Sequence, residues 1–127
     1  IRGGIACDGK GGFLPYSCKS DCMTVCTLAH EMVHAFDWRG VNPNACRNIP
    51  MGHTMDQSGS TMDLDSGPIE RPDHKNKREH SECRAMQVGR KCTAALGCLC
   101  PDQATKYDQH ESKNWEEYGC AAKGYQW

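Results

Sequence analysis

The sequence predicts an α+β fold in which two main helices and a short N-terminal β-hairpin form a compact domain held together by disulfides. Three observations predict it: a helical pattern over residues 22–38, a second over residues 76–96, and ten cysteines in 127 residues. A chain of this length forms one domain with a modest core, so residues 1–127 are treated as a single unit. A C-terminal helix completes the expected architecture.

The first 19 residues predict the hairpin. Residues 5–7 and 13–16 are short apolar runs, and the glycine-rich residues 8–12 between them are typical of a turn. We expect the hairpin to lie beside the first main helix. Cys7 and Cys18 are the candidates for holding it there.

The first main helix carries apolar residues at helical spacing, which we expect to be buried: Val25, Ala29, Met32 and Phe36. A second set of side chains shares another face of this helix: Thr27, His30, Glu31, His34 and Trp38. Ser20 or Asp21 is expected to cap the start of the helix, and Gly40 followed by Pro43 is expected to end it.

The second main helix is expected to begin near Asn76, with Glu79 completing a capping box, and to stop at Gly97. One face of it carries a glutamate among small or flexible residues: Glu82, Ala85, Met86 and Gly89. Small side chains allow another helix to approach closely. The third helix is expected from Asp108 to Ala122, and residues 40–75 show no sustained periodicity and predict a surface loop.

The motif His30-Glu31-Met32-Val33-His34 lies inside the first main helix. Residues four apart on a helix point the same way, so both imidazoles can face one metal ion. Glu31 stands beside that face, where it can act as a general base without being a ligand. A random match in a chain of this composition is expected only about 0.015 times, so chance is a poor explanation.

A catalytic zinc ion keeps three protein ligands and leaves a fourth position for water. Glu82 is the preferred third ligand because it stands on a separate helix among small residues. His80 is the next candidate, followed by Asp63 or Asp65 in the predicted loop.

The longer motif H-E-x-x-H-x-x-G-x-x-H is not present, because Asp37 replaces its glycine and Gly40 its third histidine. Asp37 is instead a candidate to accept a hydrogen bond from a ligand imidazole and to fix its tautomer. Hydrolysis of an amide develops negative charge on its carbonyl oxygen, the oxyanion, which a hydrogen-bond donor of the protein can stabilise beside the metal. The candidates for this donor share no motif: Tyr107, His110 and Tyr118.

These residues predict a zinc-dependent endopeptidase that acts on a protein or peptide substrate, with Zn²⁺ as cofactor and Glu31 as general base. The alternative is a disulfide-rich binding or structural domain that retains a metal site without turnover. A zinc content of one ion per chain with no free thiols would favour the first interpretation.

The cysteine content of about 8% predicts disulfides and therefore an oxidising compartment, either extracellular or periplasmic. Cys22 and Cys26 are one helical turn apart and are expected to bond to different, distant partners. The alternative is a reduced protein in which cysteines bind a second zinc ion. The candidate ligands are Cys18, Cys22 and Cys26, or Cys98 and Cys100, and neither group has the paired C-x-x-C spacing of structural zinc sites.

The formal net charge of -1 provides no field that would attract nucleic acid or an anionic membrane, and no segment has the apolar length of a membrane span. The chain begins with Ile1 rather than methionine. We therefore expect a processed product, with a pro-segment or a larger parent chain.

Two families share these motifs. Residues 27–37 resemble the mitochondrial inner-membrane peptidase that processes an ATP synthase subunit, and residues 81–85 resemble that family's downstream Glu-x-Arg-Ala segment, with Cys92 behind it. The chain also resembles cysteine-rich metallopeptidase domains of bacterial Rhs-type polymorphic toxins. The resemblance lies in the glycine turn flanked by cysteine, the Cys-x-x-x-His-Glu-x-x-His motif, Pro43 with Cys46, and residues 81–83.

Both resemblances imply a compact, minimal zincin with Glu82 as third ligand. They differ in compartment, because the first implies the mitochondrial intermembrane space. The second implies a secreted, toxin-type protease in the periplasm or outside the cell.

Overall fold

The computed structural model describes residues 3–18, 20–41, 43–44, 46–52 and 72–127. A two-stranded antiparallel hairpin is followed by three α-helices, so the expected α+β fold is confirmed. The strands are β1 (Gly3–Cys7) and β2 (Phe13–Ser17), and the helices are α1 (Thr24–Val41), α2 (Pro72–Leu96) and α3 (Pro101–Glu117). A short 3₁₀ turn, Gly97–Leu99, joins α2 to α3.

The hairpin forms where the apolar runs predict it and packs against α1 as expected. The carboxylate of Asp8 closes its turn by accepting hydrogen bonds from the backbone N–H groups of Lys10 (2.7 Å) and Gly12 (2.9 Å). Gly3 allows the close approach to α1, because a Cβ atom there would lie 2.9 Å from Cγ2 of Thr27. The hairpin therefore forms one wall beside the middle of α1.

Asp21 is the residue that caps α1. Its carboxylate accepts a hydrogen bond from the backbone N–H of Met23 (2.8 Å), and Oγ1 of Thr24 accepts one from the backbone N–H of Asp21 (2.8 Å). This reciprocal pattern satisfies donors at the helix start. The helix ends at Val41, between Gly40 and Pro43, as the sequence predicts.

The prediction of which face of α1 is buried is wrong. Val25, Met32 and Phe36 are exposed, with Phe36 75% exposed. The buried residues on this part of the chain are Met23, Cys26, Thr27, His34 and Ala35, so two polar side chains and one cysteine are among them. The polar face is turned inward because α2 offers it a disulfide partner and polar side chains. The side chain of Trp38 lies outside the described part of the chain.

Two predicted helix boundaries are also wrong. The helix α2 begins at Pro72, so Asn76 lies within it and does not cap it; the side chain of Asn76 is outside the described residues. Proline suits the first turn of a helix because the backbone N–H groups there have no partner within the helix, so the missing N–H of proline costs no hydrogen bond. The end of α2 before Gly97 is as predicted.

The helix α3 runs from Pro101 to Glu117 instead of from Asp108 to Ala122. Its end is set by Gly119, which has a positive φ of 61°. The N–H of Cys120 bonds to the carbonyl oxygen of Trp115 and that of Gly119 to Glu116, which is the Schellman pattern. A glycine with this geometry stops the helix five residues before the predicted end.

Four disulfides connect the elements: Cys7–Cys46, Cys22–Cys100, Cys26–Cys92 and Cys83–Cys120. Cys22 and Cys26 bond to different, distant partners, as expected. These bonds indicate an oxidising compartment. They also exclude the cysteine-bound zinc, because three of the thiols it would need are oxidised.

Cys18 and Cys98 are free and exposed. The expectation that Cys18 holds the hairpin is therefore wrong, and Cys7 does this alone through Cys46. The condition of no free thiols, named above as favouring the peptidase interpretation, is therefore not met.

The C-terminal residues cover part of the core, as the sequence predicts. Tyr125 packs against the cluster around the Cys83–Cys120 disulfide, and the ring of Trp127 lies 4.9 Å from that of Trp115. Among the helices that the structure describes, none is long and apolar enough to cross a membrane.

We expect replacement of both Cys26 and Cys92 by alanine to lower the free energy of unfolding by about 4 kcal/mol, because this disulfide closes a loop of 66 residues. Denaturant unfolding measures the change. The matched control is Cys18→Ser with Cys98→Ser, which should stay within about 0.5 kcal/mol of the parent protein. Equal stability of the two double variants would contradict the role assigned to the Cys26–Cys92 bond.

Candidate metal centre

Two histidines of α1 and one glutamate of α2 meet where these helices pack together. The Nε2 atoms of His30 and His34 lie 3.2 Å apart. The carboxylate of Glu82 lies between them, with Oε2 at 3.6 Å from Nε2 of His30 and Oε1 at 3.3 Å from Nε2 of His34. The three side chains each offer one ligand atom within 4.8 Å of the others and could hold a metal ion.

The spacing of these donor atoms fits a small divalent cation. A tetrahedral ion with bonds of about 2.0–2.1 Å holds its donor atoms about 3.3–3.4 Å apart. The observed separations of 3.2, 3.3 and 3.6 Å lie close to that value. The donor set therefore needs little rearrangement to bind such an ion.

The partner of His34 fixes which of its ring nitrogens faces the ion. Ser81 donates a hydrogen bond from Oγ to Oδ2 of Asp37 (2.7 Å), so its oxygen is left to accept from Nδ1 of His34 (2.8 Å). With its proton on Nδ1, the ring turns the lone pair of Nε2 toward Glu82. The sequence predicted a direct bond from Asp37 to an imidazole. Ser81 stands between them instead.

Asp37 is held in turn by Arg84. The guanidinium donates to Oδ2 of Asp37 at 2.9 Å and to the hydroxyl of Tyr125 at 3.2 Å. Nδ1 of His80 lies 2.7 Å from the same hydroxyl. His80 thus belongs to this outer network and not to the three ligands, and Asp63 and Asp65, the remaining alternatives, lie outside the described residues.

Glu111 supports His30 from α3, and the sequence did not single it out for this role. Its Oε1 lies 3.4 Å from Nδ1 of His30, within ion-pair range, although this contact lacks hydrogen-bond geometry. The residue is only 5% exposed. The distance in sequence between Glu111 and the His30–His34 motif does not predict their contact, because only the packing of α3 brings Glu111 to the site.

The carboxyl groups of the site respond to burial and to the imidazoles in different ways. Burial opposes ionisation of Glu82, but the contacts of its carboxylate with the imidazoles of His30 and His34, in their protonated form, outweigh burial and hold the pKa of Glu82 well below its usual range. Burial raises the pKa of Glu111 and of Glu31, and the nearby imidazoles only partly offset this. Glu82 is therefore the carboxylate best prepared to be an anionic ligand.

A cavity of about 400 Å³ opens beside His30 and Glu82. Glu31 lines it together with His30 and Glu82, so the predicted base faces the same space as the ligand atoms. The candidates for the oxyanion donor also line it: Tyr107, His110 and Tyr118.

The three oxyanion candidates differ in their surroundings. The hydroxyl of Tyr107 is buried and lies 3.4 Å from the carbonyl oxygen of Cys26. Nε2 of His110 lies 3.2 Å from the side-chain nitrogen of Asn114, and His110 is exposed. Tyr118 is half-buried, and burial together with the charges of Glu82 and Glu117 raises the pKa of its hydroxyl. Tyr118 is thus kept as a hydroxyl donor close to Glu82.

Comparisons with protein-family models, with curated proteins and with solved structures found no match to this chain. The function must therefore be argued from the site itself.

We expect Ser81→Ala to weaken metal binding by about 10–100-fold, because Nδ1 of His34 loses the acceptor that orients its ring. Competition with a chromophoric chelator measures the dissociation constant for Zn²⁺. The matched control is Ser112→Ala, which removes an exposed hydroxyl of α3. A dissociation constant within twofold of the control would contradict the orienting role of Ser81.

Proposed function

We propose that the protein is a zinc-dependent endopeptidase in which Glu31 is the general base. The observation that carries this proposal is the shared cavity, because Glu31 faces the same space as His30 and Glu82, two of the three side chains with ligand spacing. An isolated pair of helix histidines would need neither the glutamate from α2 nor the buried carboxylate from α3.

The donor set favours zinc among divalent metals. Two imidazole nitrogens and one carboxylate are the ligands of a catalytic zinc site that leaves a position for water. When bound, zinc supplies Lewis acidity that lowers the pKa of water to about 7 and polarises a carbonyl group. His30, His34 and Glu82 would hold the ion.

The remaining chemistry falls to groups of the protein that line the cavity. The carboxylate of Glu31 removes a proton from the attacking water and later delivers it to the leaving nitrogen of the peptide bond. The hydroxyl of Tyr118 donates a hydrogen bond to the carbonyl oxygen as negative charge develops there. Ser81 and Glu111 keep the two imidazoles in the orientation that binding requires.

The disulfides support a location outside the reducing cytosol. We propose a secreted, toxin-type protease that acts in the periplasm or outside the cell, in line with the resemblance to Rhs-type toxin domains. The mitochondrial intermembrane space is the alternative that follows from the other resemblance.

We expect Glu31→Gln to lower the rate of peptide hydrolysis by about 10²–10⁴-fold, because the amide cannot accept the proton of the attacking water. Cleavage of an unstructured protein substrate, followed by mass spectrometry, measures the loss. Zinc content should stay at one ion per chain, since Glu31 is not among the three ligands.

The matched control for this variant is Glu116→Gln, an exposed glutamate of α3 that does not line the cavity. Its activity should equal that of the parent protein. Undiminished turnover by Glu31→Gln would remove Glu31 from the role of base, and a parent protein that binds zinc but cleaves nothing would support the binding-domain alternative.

We expect removal of the metal by a chelator to abolish hydrolysis and to lower thermal stability together. Zinc at a free concentration 100-fold above its dissociation constant stabilises the folded state by about 2.7 kcal/mol. Calorimetry and cleavage assays with added Zn²⁺, Mg²⁺ or Ca²⁺ measure both effects, and Zn²⁺ alone should restore activity. Activity that survives complete removal of the metal would contradict the mechanism.

A further inference from the structure

The cavity beside the candidate metal centre is strongly acidic. The described residues that line it include no lysine or arginine. They include four glutamates: Glu31, Glu82, Glu111 and Glu117. Arg78 partly offsets the effect of the glutamates at Tyr118 without lining the cavity. The walls thus present an excess of negative charge.

A bound divalent cation does not remove this excess. Two positive charges offset at most two of the four carboxylates, and imidazoles that bind a metal ion are neutral. Glu82 would contact the ion, and Glu31 lies on the helix that carries both histidines. The charges left over are those of Glu111 and Glu117, which both belong to the wall formed by α3.

Glu111 adds a second observation that points to a ligand. It is 5% exposed, it lines the cavity, and its Oε2 has no hydrogen-bond partner among the described residues. A buried carboxylate oxygen without a donor is costly, so such atoms normally face a cation, a water molecule or a ligand. Its other oxygen already faces His30, and the hydroxyl of Tyr107 interacts with the same carboxyl group.

We infer that the α3 wall of this cavity, with Glu111 and Glu117, selects peptide substrates that carry a cationic group next to the cleaved bond. A positive charge gains energy from this field because the walls keep it partly out of water, where charges interact more strongly. Glu117 is at the exposed rim and meets the group first, and Glu111 supplies the field from below. This inference rests on the proposed peptidase function and names its substrate class.

Two sources can supply the cationic group: an arginine or lysine side chain within the peptide, or a free α-amino group at its start. A short peptide with blocked ends and a single arginine isolates the first source. Replacement of that arginine by citrulline removes the charge and keeps the shape. The same citrulline peptide with a free amino end isolates the second source.

Binding of fluorescently labelled versions of these peptides to zinc-loaded Glu31→Gln protein, measured by anisotropy, gives a readout that needs no turnover. This substitution removes one cavity charge and leaves Glu111 and Glu117 in place. We expect a cationic peptide to bind at least about fivefold more tightly than the blocked citrulline peptide. The tighter of the two cationic peptides identifies the source.

Glu117→Gln tests the wall itself. In the Glu31→Gln protein it should reduce the preference for the cationic peptide by about threefold, since the charge at the rim is partly screened. Glu116→Gln, its neighbour outside the cavity, should leave the preference unchanged. Equal binding of charged and uncharged peptides, or equal effects of the two variants, would overturn the inference.

Cleavage by the parent protein separates this inference from the proposed function. Cleavage of charged and neutral peptides at equal kcat/KM would overturn the substrate preference and leave the peptidase standing. A preference in binding without any cleavage would retain the acidic wall as a cation subsite and overturn the peptidase.

Discussion

The fold depends on burying a group of ionisable side chains at the contact between α1 and α2. His34 and Glu82 occupy positions that apolar residues fill in most helix pairs, and leaving such groups unpaired in a core costs several kcal/mol. The cost is offset by close polar contacts between the imidazoles and Glu82, by the hydrogen bond between His34 and Ser81, and by Glu111, which faces the imidazole of His30. A divalent cation would complete this compensation, because it faces all three donor atoms at once.

The disulfides are placed where they hold this group together. Cys26 lies one turn before His30 on α1 and is bonded to Cys92 of α2. Cys83 follows Glu82 directly and is bonded to Cys120 beyond α3. A domain of 127 residues buries a modest apolar core, so covalent links near the ligands limit the motion that would separate them. Stability and the geometry of the site therefore have the same origin.

The helix α3 gives the site its chemical character. It contributes Glu111, which lies behind His30, and Glu117, which lies at the rim of the cavity. Tyr118 follows directly after its last turn. With this helix, the cavity has one wall of carboxylates and a hydroxyl donor near the ligands. The acidity of this wall comes from residues that no metal-binding motif contains.

The sequence by itself determined what depends on local spacing. His30 and His34 share a face because they are four residues apart, and the hairpin follows from apolar runs around a glycine turn. Glu82 could be predicted as the third ligand because small residues lie near it on the same helix face. Only the tertiary structure decided the cysteine pairing, the inward turn of the polar face of α1, the Ser81 link to His34 and the place of Glu111. These depend on contacts across long separations, 47 residues for His34 and Ser81, and local periodicity carries no information about such contacts.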